Sequence, residues 1–286
     1  MTASPGTITV AALFVHPIKS AARIPVDNME LDARGACGDR RWMLVDGDGL
    51  AITQRDHSRL ALVQPSFAGA DRNGALHVTA PGMQPILLAI AADAMDRDVR
   101  IWDDRMTALD AGDDVATWMS EAIGAHCRAV RMRDDARRPL GAKHSGDVSH
   151  LERDVALPDA APLLLLGQAS IDALNSRLLE RGESAVSDVR FRPNVLLAGT
   201  GPHEEDTWSS VEIGRVTVGV GGPCARCVVT TVDQRTAERG VEPLRTLSAY
   251  RRQDGKVMFA VNATHAAPGT INTGDSLRVV RTRSPN

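Results

Sequence analysis

Short apolar runs bounded by turn signals recur along this chain, and they leave little room for any architecture but sheet. In the first half, residues 10–15 form such a run, followed by His16-Pro17-Ile18-Lys19-Ser20. Pro17 has no ladder donor, so the strand ends there and a loop presents Lys19 and Ser20. Residues 42–45 enter the turn Asp46-Gly47-Asp48-Gly49, and 50–53 return as the hairpin partner. Residues 75–79 and 85–89 flank Pro81-Gly82 in the same manner. In the second half, residues 163–166, 194–198, 210–213, 216–220, 228–232, 257–261 and 276–280 are strand-like and mostly β-branched. Helical spacing appears at 113–123, with Asp113 and Asp114 available as caps, and at 170–179, with Ser170 as N-cap. Residues 134–149 lack periodicity and read as a loop between two units, placed to cover a site. The expectation is a mixed, mainly β fold of two β-barrel-like units with a few peripheral helices, over residues 7–130 and 131–286, and not a βαβ series.

Composition narrows the partners. Thirty-three Lys and Arg against 36 Asp and Glu leave a net charge of −3, which gives no electrostatic reason to expect nucleic acid. Aromatic residues are only 3% of the 286, so the core is built from Val, Leu, Ile and Ala and base-stacking surfaces are scarce. The densest apolar run, 161–166, is far too short for a membrane span, and residues 1–6 carry no secretory signal. A cytoplasmic protein without a membrane partner is expected.

Four cysteines, Cys37, Cys127, Cys224 and Cys227, are too few for a disulfide scaffold. Gly221-Gly222-Pro223-Cys224-Ala225-Arg226-Cys227 leads into Val228-Val229-Thr230-Thr231. A dithiol oxidoreductase would place such a pair at a helix start, whereas here it lies between Val- and Thr-rich runs that suggest strand–turn–strand. Structural zinc needs about four ligands, and no second pair stands nearby. Two small buried residues at a tight turn remain a sufficient account of the pair. Arg226 shifts the balance, because a neighbouring guanidinium favours the thiolate that ligates soft metals. Gly221 and Gly222 admit close approach of something bulky. One thiolate, one fixed cation and open backbone suit a metal cofactor that brings most of its own ligands.

Cys224-Ala225-Arg226-Cys227-Val228-Val229-Thr230-Thr231-Val232-Asp233, continuing to Glu242-Pro243-Leu244-Arg245, resembles the MOSC domain of molybdenum-cofactor proteins. The resemblance is to the mitochondrial amidoxime-reducing component and its bacterial relatives. His16-Pro17-Ile18-Lys19-Ser20, Gly38-Asp39-Arg40-Arg41-Trp42, Phe191-Arg192-Pro193-Asn194 and the stretch from Ala267 to Asp275 agree with it, in order along nearly the whole chain. The resemblance implies an N-terminal β-barrel domain before the MOSC domain, and the molybdenum cofactor as prosthetic group. It implies Cys227 as metal ligand. It also implies cofactor contacts from Lys19, Ser20, Arg40, Arg192, Asn194, Arg226 and the backbone of Ala225, with Arg226 acting beside the metal. Such residues suit an anionic, phosphate-terminated pterin, since Arg is bidentate toward phosphate, Lys is a compact charge and Asn can both donate and accept. Outside the motif context, Arg40 and Arg192 would read as interdomain ion pairs, and Lys19 and Ser20 as a polar loop. A hydroxylated pair in the family corresponds here to Ala160 and Ala161. The implied activity is reduction of small N-hydroxylated substrates, with cofactor or sulfur carriage as the alternative. Since no haem, dinucleotide or ferredoxin motif is visible, electrons are expected from a separate reductase or ferredoxin. Asp233 reads either as a proton relay or, better, as a turn cap.

Overall fold

The computed structural model describes residues 7–141, 144 and 153–283, so residues 142, 143 and 145–149 of the expected interdomain loop lie outside them. Seven strands close into a barrel, in the order Leu163–Gly167, Val195–Ala198, Ile8–Val15, Ser276–Thr282, Trp208–Ile213, Val216–Arg226 and Lys256–His265, the last pairing back to the first. All neighbours are antiparallel except Leu163–Gly167 with Val195–Ala198. That parallel pair needs a crossover, which helix α2 (Gln168–Glu180) provides. The interior is filled by Val10, Leu13, Leu165, Val195, Leu197, Val211, Val218, Val220 and Val261, branched side chains that pack well on a pleated surface. Outside the barrel, α2 and a short helix (Leu244–Tyr250) bury Leu174, Leu178 and Leu247 against Phe191 and Phe259.

The second body is a half-barrel in the order Asp96–Ile101, Asp104–Asp110, Arg128–Met132, Trp42–Val45, Ala51–Ile52. A three-stranded sheet (Gln64–Phe67, Leu76–Thr79, Ile86–Leu88) and helix Asp113–Ile123 share a core with it around Trp42, Leu44, Leu60, Leu76 and Met119. The two bodies are knitted together. Ile8–Val15 lies in the barrel, while Gly269–Asn272 pairs with Asn28–Asp32. Residues 16–20 cross from barrel to half-barrel, fixed by Lys19 N–H to the Trp42 carbonyl (2.7 Å) and Trp42 N–H to the Pro17 carbonyl (3.1 Å). The loop expected after the first strand is therefore the seam. Among the described residues no helix is long and apolar enough to cross a membrane.

Three local expectations are corrected. Residues 228–231 form a 3-10 turn rather than a strand. The Thr230 and Thr231 hydroxyls bond back to the carbonyls of Cys227 (3.0 Å) and Val228 (2.7 Å), offering the backbone a local alternative to a ladder. Ser170 sits inside its helix, whose N-cap is Gly167. Its hydroxyl and the Gly167 N–H both donate to the buried Glu205 carboxylate, an acceptor supplied from elsewhere in the chain. Asp113 and Asp114 lie in the first turn of their helix, while Gly112 at φ 91° is the cap residue.

Candidate active site at the seam

The crossing segment and two loops bring together side chains far apart in sequence. Lys19 is buried, and its ammonium donates to the Leu157 carbonyl (2.9 Å) and to Asp159. Burial lowers its pKa, and Asp159 works against that shift. Ser20 follows in left-handed backbone (φ 66°), its carbonyl held by the Gln54 amide at 2.6 Å. Arg40 is also left-handed (φ 47°) and reaches across the seam to Asp39 and to Asn194 Oδ1 (3.2 Å). Burial raises the Asp39 carboxyl, but Arg40 and His16 outweigh it and hold it well below the usual carboxylate range.

Arg192, left-handed at φ 57°, donates one Nη to the Ala21 carbonyl (2.6 Å), while its other Nη is buried with no partner. Burial, with Arg40 adding repulsion, pulls its pKa down to about 9. Asn194 is fully enclosed and fully used. Its Oδ1 accepts from Arg40 and from Leu164 N–H, and its Nδ2 donates to the Phe14 carbonyl (3.2 Å) and to Asp39 (3.0 Å). It ties three barrel segments together and supports Arg40; its amide has no free edge to offer a ligand.

Both thiols of the cysteine pair are free, as are Cys37 and Cys127. Arg226 donates to Cys224 Sγ (3.2 Å) and to the Phe191 carbonyl (2.7 Å), so the guanidinium beside the motif serves Cys224. The half-buried Cys227 faces the other body, where Arg55 is the cation that its sulfur acts on electrostatically. Arg55 also bonds Asp159 (2.5 Å), and its guanidinium lies 4.6 Å from the centre of the Trp102 ring. Trp102 Nε1 donates to Asp159 as well (3.3 Å). Burial raises the Asp159 carboxyl, and Lys19 and Arg55 together pull it far below the usual range. Arg55, Asp159 and Trp102 escaped the sequence reading, because each stands alone in its local stretch. Trp102, first residue of a turn with no glycine, carried the one visible signal. Asp233 caps its turn, accepting from Arg235 N–H (2.8 Å) and Thr236 N–H (3.1 Å), with its other oxygen on Arg190.

These residues fit a phosphate-bearing, thiolate-ligated cofactor. Among the described residues, Lys19 and Arg55 pair with Asp159 and Arg40 with Asp39, and the partnerless Nη of Arg192 marks a buried donor seeking an anion. Ala161 is buried and Ala160 half-buried beside Asp159; neither has a hydroxyl, so any contact there falls to the backbone. Ala225 is exposed on the strand that leads to Cys227. Next to it opens a groove of about 550 Å³ whose lining includes Arg226, Val228, Arg245, Arg252 and Lys256 and no acidic side chain.

The chain is similar to known proteins along most of its length. Residues 7–126 match the MOSC N-terminal beta barrel domain, and residues 152–278 match the MOSC domain. Mitochondrial amidoxime reducing component 2 of Rattus norvegicus is 36% identical over 285 residues, covering 93% of this chain and 82% of that protein. Mitochondrial amidoxime-reducing component 1 of Mus musculus is 33% identical, covering 93% and 81%. Molybdenum cofactor sulfurase of Danio rerio is 32% identical over 90% of this chain, which spans only 32% of the sulfurase. The chain belongs to the molybdenum-cofactor-related MOSC family, among the relatives of the mitochondrial amidoxime-reducing components.

Proposed function

We propose that this protein is a molybdenum-cofactor-dependent reductase of small N-hydroxylated compounds, amidoximes and hydroxylamines among them, fed by electrons from a separate redox protein. The observation that carries the reading is the pairing of a free, half-buried Cys227 with a seam of cations that includes a buried Arg192 lacking one partner. Left-handed backbone at Ser20, Arg40 and Arg192 supports it, since strain of this kind persists where a site requires it. In this role Cys227 ligates the metal, and Lys19, Arg40 and Arg192 neutralise the cofactor's phosphate. Arg55 adds a cation on the side of the ligating sulfur, and Asp159 fixes Arg55 and Lys19 by accepting from both. When bound, the cofactor supplies the redox change. The overall reaction consumes two electrons and two protons per N–O bond, giving N–H and water.

The donor's approach is supported by the groove beside Cys227. Its lining offers Arg226, Arg252 and Lys256, with Arg245 engaged by Glu183 and Glu242, and Val228, 50% exposed, is bonded in the chain directly to Cys227. An electron-transfer protein with an acidic face suits that surface. The similarity to sulfurases supports a second reading, in which the chain holds cofactor or sulfur without turnover. One experiment separates them: benzamidoxime reduction with an artificial donor, alongside quantification of molybdenum and of labile sulfur. Turnover with stoichiometric molybdenum is expected; bound molybdenum with no turnover and a labile sulfur on Cys227 overturns the reductase reading.

A further inference from the structure

Strands Asp96–Ile101 and Asp104–Asp110 pair in register up to Ile101 opposite Asp104, so Trp102 and Asp103 alone make the turn. Two-residue hairpin turns favour Gly, Asn or Asp where φ is positive. Here Trp102 takes that conformation, at φ 55°. Its side chain gains little from burial, being 56% exposed, although most large apolar residues of this chain are enclosed. What the residue gains is a fixed position. Its indole N–H is held by Asp159 at 3.3 Å, and its ring lies 4.6 Å from the Arg55 guanidinium. Asp159 also accepts from Lys19, and Arg55 interacts electrostatically with Cys227. The indole thus stands at the open rim of the seam, joined through Asp159 to Lys19 and through Arg55 to the Cys227 side. Arg40 and Arg192 lie on the buried side of the seam.

We propose that Trp102 is a stacking platform for the planar ring of the substrate, held in place by Arg55 and Asp159, and that it makes the site select ring-bearing N-hydroxylated compounds over small aliphatic ones. The inference rests on the reading that Cys227 anchors the reacting centre. A flat π surface recognises another flat π surface with little regard to its substituents, so such a platform suits aryl amidoximes and N-hydroxylated bases alike. An aliphatic amidoxime offers the same N–O group with no ring to stack. A pterin is also planar, but the donors suited to it and to its phosphate lie on the buried side.

The test uses oxidised holoprotein without an electron donor, so that binding is read without turnover. Dissociation constants for benzamidoxime and acetamidoxime are measured by equilibrium dialysis for the unaltered protein, Trp102→Ala and Trp102→Phe, and molybdenum and pterin are quantified in each. Trp102→Ala is expected to weaken benzamidoxime about tenfold and leave acetamidoxime unchanged, while Trp102→Phe stays within about twofold. Cofactor content is expected to be equal in all three. Equal weakening of both ligands, no weakening of benzamidoxime, loss of cofactor from Trp102→Ala, or no binding of benzamidoxime to the unaltered protein each overturns the proposal. Failure of the reductase reading is seen separately, as unaltered protein that binds these ligands and does not reduce them when a donor is added.

Discussion

Replacing Arg192 by Met should make the cofactor-free protein more stable while weakening its response to anions. The guanidinium is buried, hydrogen-bonded to the Ala21 carbonyl through one Nη and without a partner at the other. Its pKa lies at about 9, lowered first by burial and then by Arg40. Relative to an ordinary guanidinium, that depression corresponds to about 5 kcal/mol against the charged form. Losing the charged hydrogen bond returns about 2 kcal/mol, so Arg192→Met, similar in volume, should gain about 2–3 kcal/mol. In a chain of this size that is a rise of roughly 5 °C in Tm. The sign of the pH dependence follows from linkage. A base whose folded pKa lies below its unfolded one carries its full penalty below the folded value and sheds it as pH rises above about 9. The variant's advantage should therefore shrink by about 1 kcal/mol between pH 8 and pH 10. The assay is chemical denaturation of protein made without cofactor, at both pH values, with and without phosphate. Phosphate should stabilise the unaltered protein more than the variant, which keeps only Lys19 and Arg40. A variant less stable than the parent at pH 8, or one that responds to phosphate equally, would show that Arg192 is an ordinary structural cation.

Further predictions follow from the same geometry. Cys227→Ser should lose molybdenum and activity together, whereas Cys224→Ser, whose sulfur is held by Arg226 away from the seam, should keep both; metal analysis of the two purified variants decides. Asp159→Asn should destabilise by about 1 kcal/mol, a figure kept small because the Asp159 side chain is 42% exposed. Since Lys19 and Arg55 hold the folded carboxyl below its unfolded value, the gap between parent and variant in urea denaturation should be constant above about pH 5 and close as the pH falls below ~4. Reversing Arg252 and Lys256 to Glu should raise KM for an acidic protein donor about tenfold at low salt and far less at high salt, with a small artificial donor unaffected. Equal effects on both donors would remove the groove from the electron path.

The barrel was largely visible in the sequence because its strands bury one face in a closed interior, so Val216-Thr217-Val218 and Leu163–Gly167 announce themselves by apolar character. The half-barrel strands Asp96–Ile101 and Asp104–Asp110 did not, because their outward positions carry Asp and Arg in alternation and swamp the few buried residues between them. The placement of Ile8–Val15 among strands that lie beyond residue 160 is a property of topology, which no local pattern encodes. The site divides in the same way. Residues inside dense motifs (Lys19, Arg40, Arg192, Cys227) could be named from sequence, although the inward role of Asn194 and the attachment of Arg226 to Cys224 needed coordinates. Arg55, Trp102 and Asp159 are joined only by folding, each more than forty residues from the next in sequence. Backbone conformation links the two groups. Among the described residues, eight other than glycine have positive φ, and four of them, Ser20, Arg40, Trp102 and Arg192, stand at this one seam. Each is unfavourable alone, so their concentration requires a compensating interaction that the isolated chain lacks. Cofactor against Arg192 and substrate against Trp102 would together supply it, which is why the anion response of Arg192→Met and the ring selectivity of Trp102→Ala probe two ends of one site.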